Sequence, residues 1–268
     1  MTALLLKRTS PQNSLQEPAP TVEFQSVSKR FSLHHERARS FQDLWIRLMR
    51  RQVVNNWEEF WALRDLSFEV QKGEILGVIG SNGSGKSTLL RLAARTVRPT
   101  RGRIVLRGNV APLLELGAGF HPELSGQDNV YLNGGLLGMS RATISARFKE
   151  IVEFAELERF IDTPMKHYSS GMWIRLGFSV AAHSEADVFL IDEALAVGDE
   201  AFQRKCLARI NDFRQRGKTI LFVSHDLGQV AQMCDRALWL RQGQAQAIGP
   251  AGEVVAAYVE ASEAQAAR

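Results

Sequence analysis

With 268 residues, 45% of them apolar, the chain can bury a substantial core as one large domain or two modest ones. Two cysteines, Cys206 and Cys234, lack metal-type spacing and are too few for a disulfide framework, which points to a reducing cytosol. No apolar run approaches the roughly 18 residues of a membrane span, and Leu4-Leu5-Leu6 falls short of a signal-peptide core of about 7–15, so any membrane crossing is expected to fall to another chain. A net charge of +4 permits an anionic partner but is too small to imply a surface that tracks nucleic-acid phosphates.

Residues 1–20 mix Pro, Gln, Ser and Asn without periodicity and are expected to form a mobile tail. Val22–Val27 alternates apolar and polar residues, the pattern of a half-buried strand, with the aromatic Phe31 just past it. The pattern then breaks over an insertion at about 33–56. There Phe41, Leu44, Trp45 and Leu48 recur at i, i+3, i+4 and i+7 with Arg37, Arg39, Arg47, Arg50 and Arg51 around them. Such a basic amphipathic helix suits a membrane surface or a partner's groove, with docking on its own domain as the alternative. Alternation resumes over Phe60–Val70, and Lys72-Gly73 turns the chain into the next strand.

That strand, Ile75–Ile79, is a short apolar run bounded by glycines. Directly after it, Gly80-Ser81-Asn82-Gly83-Ser84-Gly85-Lys86-Ser87-Thr88 satisfies G-x-x-x-x-G-K-[ST], and Thr88–Arg95 continues in good helix formers. Glycines let successive N–H groups point inward around a phosphate, and the helix N-terminus adds partial positive charge. Ser81, Asn82, Gly83, Ser84, Gly85, Lys86, Ser87 and Thr88 are therefore the candidate nucleotide-binding residues. Lys86 is expected to reach the β- and γ-phosphates of ATP, and the Ser87 hydroxyl to hold Mg²⁺. Phe31 is the candidate to stack on adenine.

Pro99, Gly102 and Gly108 bracket a short strand at Arg103–Leu106. Residues 115–135 are Gly-rich and loop-like, and Ala142–Ala155 carries Ile144, Phe148, Ile151, Val152 and Ala155 on one helical face. The region at about 115–180 thus reads as a mostly helical subdomain inserted in an α/β core. Tyr168-Ser169-Ser170-Gly171-Met172 opens a helix at Trp173–His183, either a second anion-accepting end or a plain N-cap. Val188–Ile191 is an apolar strand ending in Asp192-Glu193, which fits the Mg²⁺-holding acid of a Walker B strand. Asp199 lies six residues beyond Glu193, and Thr219–Val223 is a further buried strand leading to His225, at the active edge of a parallel sheet. Ala237–Leu240 with the Gln242-Gly243 turn reads as a closing hairpin, and 251–268 as a peripheral Ala-rich helix.

In this order, from residue 22 to about 250, these features resemble the ATP-binding subunit of an ABC transporter. The resemblance implies an α/β fold: a P-loop NTPase core of ABC type, with an inserted helical subdomain and an N-terminal antiparallel β subdomain. The family's Leu-Ser-Gly-Gly-Gln signature corresponds to Tyr168-Ser169-Ser170-Gly171-Met172, with Ser170 and Met172 departing from it. Ser169 and Gly171, kept from the motif, would touch the γ-phosphate. Asp192-Glu193 matches Walker B and its catalytic acid, Asp199 the D-loop acid, and His225 the switch histidine. The glutamine that usually contacts Mg²⁺ and the attacking water is missing where expected, and Glu115 takes its place as candidate, since Gln127 falls too late.

Phe60–Asp65, Gly119–Gly126 and Leu195–Glu200 with Phe202-Gln203 are further similar to the polysaccharide and polyol-phosphate export branch, which moves O-antigen, capsule or teichoic-acid chains on lipid carriers. Some members carry a C-terminal carbohydrate-binding domain, for which a chain stopping at Arg268 leaves no room, so substrate choice is expected to lie with the membrane partner or the lipid anchor. The resemblance implies two copies closing head to tail around two ATPs, joined to an integral-membrane permease, peripheral on the cytoplasmic face of the plasma membrane. The lipid-linked glycan would be the cargo, and nucleic acid is not an expected partner. An ABC importer subunit, or a soluble ABC-type ATPase acting on nucleic acid or ribosomes, are the alternatives.

Overall fold

The computed structural model describes residues 19–34, 57–114, 116–192 and 199–266. The expectations for residues 1–18, for the helix at 40–51, and for Glu115 and Glu193 fall outside the described residues. In chain order the elements open with β1 (Val22–His34), β2 (Trp57–Val70), β3 (Ile75–Ile79) and α1 (Lys86–Ala93). They continue with β4 (Arg101–Leu106), β5 (Val110–Leu113), α2 (Gly126–Leu136), α3 (Arg141–Ala155) and α4 (Ser170–Ala182). The chain closes with β6 (Val188–Ile191), α5 (Glu200–Gln215), β7 (Thr219–Val223), α6 (Leu227–Met233), β8 (Arg236–Arg241), β9 (Gln244–Pro250) and α7 (Ala251–Ala266). Among the described residues no helix is long and apolar enough to cross a membrane.

Two sheets divide the strands. β2, β1 and β4 form an antiparallel sheet in that order, and β5-β6-β7-β3-β8-β9 form the second, parallel except at its β9 edge. The central strands β3, β6 and β7 are continuous apolar runs because both of their faces are covered. Side chains alternate between those faces. Leu76, Val78, Leu190, Leu221 and Leu238 pack with Leu89 and Leu90 of α1 and with Val22, Phe24 and Leu66 of the antiparallel sheet. Ile75, Ile79, Phe189, Ile191, Ile220 and Phe222 pack instead with Phe178 of α4, Phe202, Cys206, Ile210 and Phe213 of α5, and Val230 of α6. A third cluster joins Val130, Ile144, Ile151, Leu176 and Val180 across α2, α3 and α4.

Several elements depart from the sequence expectations. β1 runs past Val27 to His34, so Phe31 lies within it; register shifts near Val27 and the positive φ of Ser26 (47°) interrupt the alternation that marks a strand. The Gly-rich stretch expected as loop through 135 is helical from Gly126. Ser125 caps it, its Oγ accepting the Asp128 N–H at 3.1 Å. Its glycines serve packing: a Cβ at Gly126 would lie 2.2 Å from the Tyr168 hydroxyl, and one at Gly134 2.8 Å from Ile144 Cδ1. The helix after Ser169 begins at Ser170 rather than Trp173. Strand β5 and helices α5 and α6 are additional.

The arrangement fixes where chemistry can occur. β6, β7 and β3 are parallel neighbours, so the loops leaving their C-terminal ends open on one edge of the sheet. Those loops carry Asp192, His225 and the glycine-rich loop respectively.

Candidate active site

The glycine-rich loop takes its shape from three positive-φ glycines, Gly80 (149°), Gly83 (77°) and Gly85 (110°). It is clasped from behind by the β8–β9 turn. The Gly243 N–H donates to Ser84 O at 2.9 Å, and Gly243 O in turn accepts the Arg64 N–H at 2.8 Å, which ties the loop to β2. A Cβ at Gly80 would meet Leu240 O at 2.2 Å, so the loop lies directly on β8. Lys86, 7% exposed, folds its ammonium back over the loop and donates to Gly80 O at 2.7 Å and Ser81 O at 3.1 Å.

Asn82, Gly83, Gly85, Lys86, Ser87 and Thr88 line a cleft of about 280 Å³ together with Asp192, His225, Phe60 and Ala62. Three loops distant in sequence thus converge on one space. Two of the predicted loop residues sit elsewhere. Ser84 is buried beneath the loop facing Gly80, and Ser81 lines a small hollow shared with Trp239 and with Tyr258 of α7. The Ser87 hydroxyl and the Asp192 carboxylate are hard oxygen donors on this one cleft, a set that fits Mg²⁺.

Phe60, rather than the predicted Phe31, lines the cleft. The two are cross-strand partners on β2 and β1, and Phe31 instead packs under the Lys29 ammonium, 4.9 Å from its ring centroid. The sequence held a signal for Phe60. Adjacent strand residues point to opposite faces, so one of Phe60 and Trp61 had to face away from the core; Phe60 is 48% exposed.

Ser169, Gly171 and Asp199 gather elsewhere, with Glu156, Phe160 and Arg175, around a separate cleft of about 470 Å³. Ser169 caps α4, its Oγ accepting the Met172 N–H at 3.2 Å, and the first turn of the helix opens to solvent. Asp199 caps α5, Oδ1 accepting the Phe202 N–H at 2.9 Å. That hydrogen bond, with the Arg175 guanidinium second, holds the Asp199 carboxyl below its ordinary range. The two clefts share no lining residue. One subunit therefore displays its phosphate loop and its Ser169 helix end at different places.

Fold and loop chemistry together define a P-loop ATPase. A family model described as ABC transporter matches residues 63–196. Over 242 residues the chain is 45% identical to the O-antigen export system ATP-binding protein RfbB of Klebsiella pneumoniae, covering 90% of this chain and 98% of that one. It is 41% identical over 239 residues to the teichoic acids export ATP-binding protein TagH of Listeria monocytogenes serotype 4b (strain F2365), covering 89% and 70%. Among solved structures, a dimeric ATP-binding cassette in a post-hydrolysis state with ADP and Pi matches with a TM-score of 0.66 at 20% identity, over 86% of this chain and 98% of that one. The chain belongs to the ABC transporter family, as an ATP-binding and ATP-hydrolysing subunit with the expected P-loop ABC fold.

Proposed function

We propose that this subunit powers export of a lipid-linked polysaccharide, of O-antigen, capsule or teichoic-acid type, across the cytoplasmic membrane. The observation that carries its ATPase chemistry is the convergence of Lys86, Ser87, Asp192 and His225 on one cleft. The export direction rests on the relatives, which are export ATP-binding proteins of surface glycans; this favours it over an importer or a nucleic-acid ATPase. The chain would sit peripherally at the cytoplasmic face, bound to a membrane permease through which the glycan passes.

In this reading Asn82, Gly83, Gly85, Lys86 and Thr88 cradle the phosphates, with Lys86 on the β- and γ-oxygens. Ser87 and Asp192 would hold Mg²⁺, and Glu115 would contribute from its own loop; when bound, the ion neutralises charge on the transferring phosphoryl group. Glu193 polarises the attacking water and His225 holds the γ-phosphate. The separation of the two clefts supports a head-to-tail pair, in which one subunit's Ser169, Gly171 and Asp199 complete its partner's phosphate loop. ATP then favours the closed pair and hydrolysis releases it, a two-state cycle that a permease can follow.

The test replaces the genomic copy with Glu193→Gln. The expected result is retained ATP binding, loss of most turnover, loss of surface glycan and accumulation of lipid-linked glycan inside the cell. An unchanged surface with no accumulation would overturn the export reading.

A further inference from the structure

Arg175 lies in the second turn of α4, just behind Ser169 and Gly171, and its side chain is only 19% exposed. One arm of its guanidinium donates to Glu156 Oε2 at 2.8 Å and the other to Asp199 Oδ2. Its guanidinium carbon lies over the Phe202 ring, 5.1 Å from the centroid. Each contact falls on a helix end. Glu156 is the C-cap of α3 in a left-handed conformation (φ 59°), while Asp199 is the N-cap of α5 and Phe202 lies in its first turn. Lys205 of α5 closes the circle, donating to Glu156 Oε1 at 2.9 Å and to Phe154 O at 3.0 Å. Three helix ends thus meet at one guanidinium, on the wall of the cleft that holds Ser169, Gly171 and Asp199.

A planar fork is what this geometry requires. Two carboxylates accept from separate arms of the fork beside an aromatic ring, and a compact ammonium can satisfy only part of that set. Asp199 is also the residue that follows the 193–198 segment carrying Glu193.

We propose that Arg175 is a positioning residue, fixing Asp199 to the Ser169 helix so that both present to the partner subunit's ATP as one unit. The proposal rests on the two-subunit reading above. It predicts a loss in turnover without a loss in nucleotide binding, because the P-loop cleft shares none of these residues.

The experiment uses the full chain with ATP. Turnover per subunit is followed across protein concentration, nucleotide affinity is measured separately, and melting reports folding. Wild-type turnover per subunit rises with concentration; a flat profile would remove the two-subunit reading, and this proposal with it. Given the rise, Arg175→Lys, which keeps the charge and the packed stem, and Asp199→Asn each lower kcat about 10- to 100-fold, the scale of a misplaced reacting geometry. Nucleotide Kd stays within about twofold of wild type, and the double variant is no slower than the slower single, because both changes cut one contact. Wild-type kcat in a folded Arg175→Lys, or slowdowns that multiply in the double variant, would reduce Arg175 to a structural tie and overturn the proposal.

Discussion

Gly85→Ala tests the account of the loop most directly. Gly85 caps α1 at φ 110°, a conformation an L side chain adopts only under strain of about 1–3 kcal/mol. The added Cβ would also lie 2.6 Å from Ala62 O and 2.8 Å from Leu63 Cδ2. The first neighbour is backbone in β2 and cannot rotate away, so overpacking adds about 1–3 kcal/mol. Restricting the unfolded chain returns about 0.4–1 kcal/mol, leaving a net loss of roughly 1–5.5 kcal/mol. Gly83 is the control. Its φ is 77° but a Cβ there meets nothing within 4 Å, so Gly83→Ala carries only the left-handed cost of about 1–2 kcal/mol, less the same return. Urea unfolding followed by circular dichroism, without nucleotide, should place Gly85→Ala well below Gly83→Ala in midpoint at similar slope. Coincident midpoints would refute the claim that Gly85 is fixed by its contact with β2.

Phe60→Ala should weaken ATP binding about fivefold or more, from a base–aromatic stacking worth about 1–3 kcal/mol, while Phe31→Ala leaves affinity near wild type. Titration with a fluorescent ATP analogue decides it, and the reverse ranking would return the stacking role to Phe31. His183, 5% exposed, has its pKa lowered chiefly by burial, and its Nδ1 is 2.7 Å from Ser179 O, so as the neutral form it donates there. Above the unfolded pKa of about 6.5 both states are neutral and nothing is lost; below it the unfolded chain takes up the proton first, and stability falls with pH. Wild-type Tm should therefore drop between pH 7 and 5.5 more steeply than that of His183→Gln, and parallel curves would remove His183 as the cause.

Legibility in the sequence followed how local the determining physics was. The phosphate loop and strands β3, β6 and β7 were plain because a buried parallel strand is an unbroken apolar run and the loop's glycines are dictated by backbone shape. β5 was missed because Pro112 suppresses a strand assignment; it is tolerated because β5 pairs on one side only, with β6. α2 was hidden by Gly126, Gly134 and Gly135, whose cost of about 1 kcal/mol each counts against a helix. Two of the three are required by tertiary neighbours that no local window shows, Tyr168 and Ile144. α5 was also missed, although its signal is local. Asp199 is a helix cap, and Phe202, Cys206, Ile210 and Phe213 form a stripe at helical spacing, all of them buried. That Phe60 lines the cleft while its cross-strand partner Phe31 does not depends on where the strand pair lies against the phosphate loop, which sequence alternation cannot show.

Helix α4 bridges two of the three apolar clusters. Its Leu176 and Val180 sit in the cluster of α2 and α3, while Phe178, Ala181 and Ala182 sit in the cluster under the parallel sheet. At Gly177 a Cβ would lie 2.5 Å from the Gly117 backbone nitrogen, so α4 rests directly on the main chain of Leu116 and Gly117. A helix packed at native density on both sides transmits displacement and does not absorb it. Helix α4 thus couples α2 and α3 to the parallel sheet through the same element that carries the exposed Ser169 end. Arg175 ties α4 to Asp199, while the P-loop, clasped by β8, β9 and β2, lies with the cluster of α1 and the antiparallel sheet. The fold thus places the phosphate loop and the Ser169 helix end on different packing clusters.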